Sequence, residues 1–233
     1  MLRHTFPPFF LQVSEFCNMQ GNEIKIQLEG EELHLLSAKA IYWPKKQSLL
    51  LADLHLGKAM HFRKSGIAVP MASAKLNLEK LDGLLKKYRP HCVCFLGDLF
   101  HSLKNSEWAL FKGLLQSYPK IAFELILGNH DILHHTEYSD LKLKSYENIK
   151  EVGPFVFSHA PISGHHLYNI AGHIHPSIRL KSRAKLSHTA ACFVIGDRLT
   201  ILPSFGNFTG SSIQKVGRGQ RIFAIVEDKL LEF

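Results

Sequence analysis

Five short clusters in this 233-residue chain bring carboxylate, imidazole and amide side chains together. They are Asp53-Leu54-His55, Gly97-Asp98, Gly128-Asn129-His130-Asp131, Ser158-His159 and Gly172-His173-Ile174-His175. One such cluster at a strand end is an ordinary cap or turn. Five exceed what capping requires and point to a shared metal centre. Mixed carboxylate, imidazole and amide-oxygen donors suit Mn²⁺, Fe or Zn²⁺, rather than a thiolate-seeking metal or an all-oxygen Ca²⁺ site.

These clusters need elements that end where they begin. Ser48 to Ala52 is a continuous apolar run of strand length, the mark of a strand buried on both faces, and it stops at Asp53. Cys92 to Leu96 ends in Gly97-Asp98, and Ala122 to Leu127 ends in Gly128-Asn129-His130-Asp131. Between them, Leu76, Leu81, Leu84, Leu85 and Tyr88 predict a helix over 73–88 closed by Arg89-Pro90, and Trp108, Phe111, Leu114 and Leu115 predict a second over 107–117. Short strands are expected at 24–28 and 33–36, turning at Gly30, and at 155–157, 168–171, 192–195, 199–202 and 222–226. The order predicts an α/β domain of two sheets packed face to face and flanked by helices, with ligands at the carboxyl ends of strands.

Apolar residues make up 45% and charged residues 21%, a globular balance that excludes a disordered or fibrous chain. No apolar run reaches the roughly 18 to 20 residues of a membrane span. The segment Phe6-Pro7-Pro8-Phe9-Phe10-Leu11 is too short for a secretory signal and carries a Pro pair. None of Cys17, Cys92, Cys94 and Cys192 forms a C-x-x-C pair, which favours a reduced, cytoplasmic setting. Cys92 and Cys94 read as small buried hydrophobes. The net charge of +8 is compatible with an anionic partner. Lys86, Lys87 and Arg89 read as a solvated helix end, whereas Arg179 to Lys185 is open between surface and nucleic-acid contact.

In this order the blocks D-x-H, G-D, G-N-H-D, H and G-H-x-H resemble the signature of the calcineurin-like metallophosphoesterases. A narrower similarity runs from about Glu23 nearly to the C-terminus. It includes Leu51 to Ala59 with Phe62-Arg63, Gly66 and Pro70, then Leu96 to Ser102, Gly172 to Pro176, and Leu202 to Gly210. These segments resemble the bacterial DNA-ligase-associated metallophosphoesterases. The resemblance implies a four-layer α/β/β/α sandwich of two mixed sheets over 21–233, with residues 1–20 an extension and Met19 a candidate alternative start. It implies two divalent ions, Mn²⁺ first and Fe or Zn²⁺ as alternatives. Asp53, His55 and His175 would hold one, Asn129, His159 and His173 the other, with Asp98 between them. The activity implied is phosphodiester hydrolysis by a hydroxide bridging the metals, as an endonuclease or exonuclease of DNA repair. The implied partners are single-stranded or damaged DNA, an ATP-dependent ligase, a helicase and an exonuclease. Departures fall on the substrate-facing loops: Met71 to Lys75 lacks the small Gly/Thr pattern expected there, and Ile132 stands where Arg often follows the G-N-H-D block.

Two cations roughly 3.5–4 Å apart neutralise phosphoryl oxygens and acidify a water between them, which an anionic diester requires. His130 would donate a proton to the leaving oxygen or stabilise the transition state. Asp131 either orients His130 or caps the next segment. His101 stands where a nuclease subunit of break-repair complexes places an assisting histidine, against a structural role. Arg63 and Lys58 are candidate substrate-phosphate contacts. His134-His135 and His165-His166 read as exposed loop residues, and Phe205 and Phe208 as core. The same metal centre would serve a small-molecule phosphatase, a cyclic-nucleotide phosphodiesterase or a nucleotide pyrophosphatase. A non-catalytic scaffold is disfavoured by the full ligand set.

Overall fold

Alternation along the central strands decides what each face buries. In the computed structural model, Leu49, Leu51, Val93, Phe95 and Leu125 join one apolar cluster, while Leu50, Cys94, Leu96 and Ile126 join another on the opposite face. Apolar runs of this kind are therefore buried twice, as their composition predicts. The structure describes residues 11–12, 21–58, 72–101, 106–181, 187–207, 209–215, 217 and 219–233.

Seven strands build the first sheet: β2 (Glu23–Leu28), β3 (Glu31–Leu36), β4 (Ala40–Trp43), β5 (Ser48–Leu51), β6 (Cys92–Leu96), β7 (Ala122–Ile126) and β8 (Leu143–Tyr146), in that spatial order. From β2 to β5 the pairing is antiparallel and from β5 to β8 parallel. The second sheet runs β1 (Leu11–Gln12), β12 (Pro176–Lys181), β13 (Ser187–Ile195), β14 (Leu199–Ile201), β11 (Tyr168–Ala171), β10 (Phe155–Ser158) and β9 (Ile149–Val152). Off this path, β15 (Ser212–Ile213) pairs with β12, and β16 (Arg221–Val226) joins β13 to β17 (Lys229–Glu232). Within it β10, β11 and β14 are parallel. Ile24, Ile41, Trp43 and Leu50 of the first sheet meet Phe155, Phe157, Ile170 and Phe193 of the second in one cluster, so the sheets pack face to face. This is the α/β sandwich of two mixed sheets expected from the sequence.

Helices α1 (Ala72–Tyr88), α2 (Ser106–Gln116) and α3 (His135–Asp140) contribute Leu81, Phe111 and Tyr138 to the cluster on the first sheet's outer face. The apolar face of α1 is Leu78, Leu81 and Leu85 with Leu84. Leu76 is 53% exposed, because five residues of helix place it about 140° from Leu81. Arg89 adopts a left-handed φ of 45° and donates its N–H to Leu85 O, stopping the helix ahead of Pro90. The outer face of the second sheet carries its own apolar cluster around Ile178, Cys192 and Ile222, with no helix on it among the described residues. Among the described residues, no helix is long and apolar enough to cross a membrane.

Candidate metal centre

Strands β5, β6 and β7 are parallel neighbours, so their C-terminal ends lie along one edge, and the ladder continues past them. His55 N donates to Asp98 O at 2.9 Å, Leu56 N to Leu99 O, and His101 N to Leu56 O at 2.8 Å. The loop holding Asp53 and His55 is thereby laced to the loop holding Asp98 and His101. The second sheet reaches the same edge: Phe205 N donates to Ala52 O, Ser204 Oγ to Asp53 O at 2.8 Å, and His173 N to Asp53 Oδ2 at 2.9 Å.

Two groups of donor atoms converge there, Asp53 with His55 and His175, and Asp98 with His159 and His173. Within each group the ligand atoms lie within 4.8 Å of one another. Asp98 faces both, Oδ2 lying 3.7 Å from His55 Nε2 and Oδ1 3.5 Å from His159 Nε2. Asn129 sits on the turn after Gly128, exposed, next to His130.

Backbone carbonyls set two of the ring tautomers. His159 Nδ1 lies 3.0 Å from Leu96 O and His175 Nδ1 3.0 Å from Gly210 O. A carbonyl only accepts, so each Nδ1 carries the hydrogen and each Nε2 is left with its lone pair. Those lone pairs face other nitrogens, His173 Nδ1 at 3.0 Å and His55 Nε2 at 3.4 Å. Asp53 Oδ1 and His55 Nδ1 are buried without a hydrogen bond of good geometry. Nitrogen and carboxylate lone pairs converging in a buried space fit divalent cations.

The backbone is strained where these side chains leave it. Asp53, His55, Asp98, His173 and His175 all have positive φ, from 48° to 67°. Left-handed non-glycine residues are sparse, and such outliers gather at functional sites. Close approach needs glycine at two neighbours. A Cβ on Gly97 (φ 80°) would lie 2.1 Å from His159 Nδ1, and one on Gly172 would lie 2.7 Å from Asp53 Oδ2.

Burial opposes imidazolium charge at His55 and pushes it down to about 2, helped by Lys58, His175, His101 and His130. At His175 burial also opposes the charge, but Asp53 outweighs it and the net direction is up. The rings of His101 and His130 lie 4.5 Å apart, each 5.5 Å from His55. Lys58 is half-buried, and burial lowers its pKa although Asp98 and Asp53 pull it up.

This centre lies in a chain whose residues 48–194 match the calcineurin-like phosphoesterase family. The chain belongs to that family. As a calcineurin-like phosphoesterase it is a metal-dependent hydrolase of phosphoesters. The nuclease MPE of Pseudomonas putida is similar in structure, with 29% identity, a TM-score of 0.76, and 88% of this chain covering 97% of that one. The Escherichia coli phosphoesterase Yfce is a distant match at 12% identity and a TM-score of 0.41, over 78% of this chain and 90% of that one. No curated protein sequence matches significantly.

Within this phosphoesterase the hydrogen bonds of Asp131 run to backbone amides of two neighbouring loops. The Asp131 carboxylate accepts the N–H groups of Gly128 (2.9 Å), Phe100 (3.0 Å) and Leu99 (3.3 Å). It ties two site loops together and has no hydrogen bond to the His130 ring among the described residues. Burial pushes its pKa up to about 6 although those amides pull it down. Arg63, Gly66, Pro70, Arg183, Lys185 and Phe208 lie outside the described residues. His134 is exposed, and His135 starts α3 instead of lying in a loop. His165, in a loop and half-buried, has its Nε2 3.2 Å from Glu151, and its Nδ1 accepts the N–H of Leu167. That acceptance puts the hydrogen on Nε2 and makes the contact with Glu151 an ordinary donor–acceptor pair. Ser204 and Gly210, in the connection between β14 and β15, hold Asp53 and His175 and carry no signal of that role in their types.

Proposed function

We propose that this phosphoesterase is a two-metal phosphodiesterase acting on single-stranded or damaged DNA, a nuclease. The observation that carries the reading is Asp98 between the two donor groups, one carboxylate oxygen toward each. Asp53, His55 and His175 would hold one ion, and His159, His173 and Asn129 the other, with Mn²⁺ favoured by the mixed donors and Fe or Zn²⁺ as alternatives. When bound, the ions supply positive charge for the phosphoryl oxygens and a more acidic water. The chain's own residues do the rest. His130, exposed beside His101, is placed to give a proton to the leaving oxygen, and His101 packs its ring into position. Lys58 adds positive charge beside the carboxylates, and Arg63 would clamp a substrate phosphate.

The 29% identity to a nuclease and the charge of +8 support nucleic acid as substrate. A cytoplasmic repair role beside an ATP-dependent ligase, a helicase and an exonuclease follows from the family resemblance. The test is Mn²⁺-dependent hydrolysis of bis-p-nitrophenyl phosphate, p-nitrophenyl phosphate and a labelled single-stranded DNA, with Asp98→Ala as control. Turnover of the diester and the DNA that vanishes in the variant supports the proposal. Turnover of the monoester alone replaces it with a phosphatase.

A further inference from the structure

The two ring nitrogens of His175 have different surroundings. Its Nε2 faces Asp53 and its Nδ1 faces Gly210 O, and on the Gly210 side the protein opens a cavity of about 400 Å³. Lys39, Ser177, Thr189, Ser204 and Asn207 line it with His175. Of the candidate metal ligands only His175 takes part, so this space adjoins the centre without being it. Small-molecule cavities run roughly 300–1,000 Å³, which makes this one the size for a single nucleotide and too small for a duplex.

Its chemistry is hydroxylic and cationic. Lys39 stands on the turn between β3 and β4 with φ 66°, a strained conformation for a lysine, and has no ion-pair partner among the described residues. Lys80 lies close enough to feel the Lys39 charge, and its ammonium donates to Phe205 O at 2.7 Å beside the cavity wall. Two lysine side chains thus flank the segment that carries Ser204 and Asn207. Ser177 is 1% exposed, and its hydroxyl has no hydrogen-bond partner among the described residues. An unpaired buried hydroxyl is unfavourable, and a polar ligand in the adjoining space would satisfy it.

We infer that this cavity is a nucleotide subsite: it receives the phosphate and sugar of the nucleotide next to the scissile bond, Lys39 meeting the phosphate and the hydroxyls of Ser177 and Thr189 the sugar. The inference rests on the phosphodiesterase reading and narrows it. Substrates with a second phosphate one nucleotide away are preferred over small diesters and cyclic nucleotides, which leave the cavity empty.

The test compares KM for a labelled single-stranded oligodeoxynucleotide and for bis-p-nitrophenyl phosphate, in the metal-loaded protein and its Lys39→Met, Lys39→Arg and Ser177→Ala variants. Lys39→Met is expected to raise KM for the oligonucleotide about tenfold more than KM for the small diester, with Lys39→Arg restoring most of the difference. Ser177→Ala is expected to shift the same ratio in the same direction by a smaller factor. Inhibition by thymidine 5′-monophosphate should weaken in parallel. A KM ratio that stays constant across the variants overturns the subsite. If the wild type hydrolyses neither substrate, the phosphodiesterase reading itself fails. Fluorescence anisotropy of the labelled oligonucleotide then reads the cavity alone, and equal affinity for wild type and Lys39→Met overturns it.

Discussion

The backbone N–H of His130 donates to Asp98 Oδ1 at 2.9 Å. The carboxylate placed between the two donor groups therefore also fixes the chain at the candidate proton donor. That bond uses the main chain, so the imidazole can be removed without cutting it.

His130→Ala should fold normally and lose activity in a way that depends on the leaving group. A proton donor matters most when the departing oxygen is a poor leaving group. Loss of about a hundredfold or more in kcat is expected on DNA, against a much smaller loss with p-nitrophenolate as leaving group. Steady-state rates on DNA and on bis-p-nitrophenyl phosphate check this, and equal losses would remove His130 from that role.

Gly97→Ala sets a methyl group against the His159 ring and forces a side chain into a left-handed conformation. A cost of about 1–3 kcal/mol is expected, which for a domain of this size lowers the melting temperature by roughly 2–12 °C. Displacement of His159 should also weaken one metal-binding event while the other persists. Calorimetry and metal analysis on the same preparation read both effects.

Asp131 behaves as a strut in this geometry, since three backbone amides occupy its oxygens. Asp131→Ala leaves those donors without their acceptor and should cost about 2–4 kcal/mol. Asp131→Asn, which keeps one carbonyl oxygen, should cost less. Its pH–rate profile should keep the wild-type shape. Disappearance of a limb of that profile in Asp131→Asn would instead make Asp131 a partner in proton transfer.

Burial pushes Lys80 down to about 7, with the Lys39 charge adding to the shift and Asp228 opposing it. The unfolded chain then binds the extra proton between about pH 7 and the ordinary lysine value of 10.5, so stability rises with pH across that window. The contribution is complete above the unfolded value and is lost as pH falls through about 7. Urea midpoints measured from about pH 7 to 9.5 should climb in the wild type relative to Lys80→Met. Parallel trends in the two proteins would show that the ammonium is not held in that environment.

The blocks at the candidate centre were legible because each follows an apolar run that ends abruptly, and an abrupt end marks the exit of a strand from the core. Central strands such as Cys92–Leu96 announce themselves for the same reason. Ile149–Val152 and Leu143–Tyr146 do not, since an edge position lets charged and apolar residues alternate over four positions, too few for a periodic signal. The polar half of Ser187–Ile195 was missed because its pairing with Pro176–Lys181 fixes it, not its own hydrophobicity. Apart from the Gly128 amide at Asp131, the orientation of Asp131, the tautomers of His159 and His175, and the burial of Lys80 depend on residues more than thirty positions away. Nothing local in the sequence encodes such contacts.

Five of the candidate ligands stand at left-handed corners. Each corner costs the bare polypeptide something on the order of 1 kcal/mol, a tension that only a useful arrangement justifies keeping. A descendant relieved of hydrolysis would gain stability by relaxing them, and glycine or asparagine, the residues most at ease there, would accumulate at positions 53, 55, 98, 173 and 175. These five corners are thus where giving up the chemistry would cost the fold least.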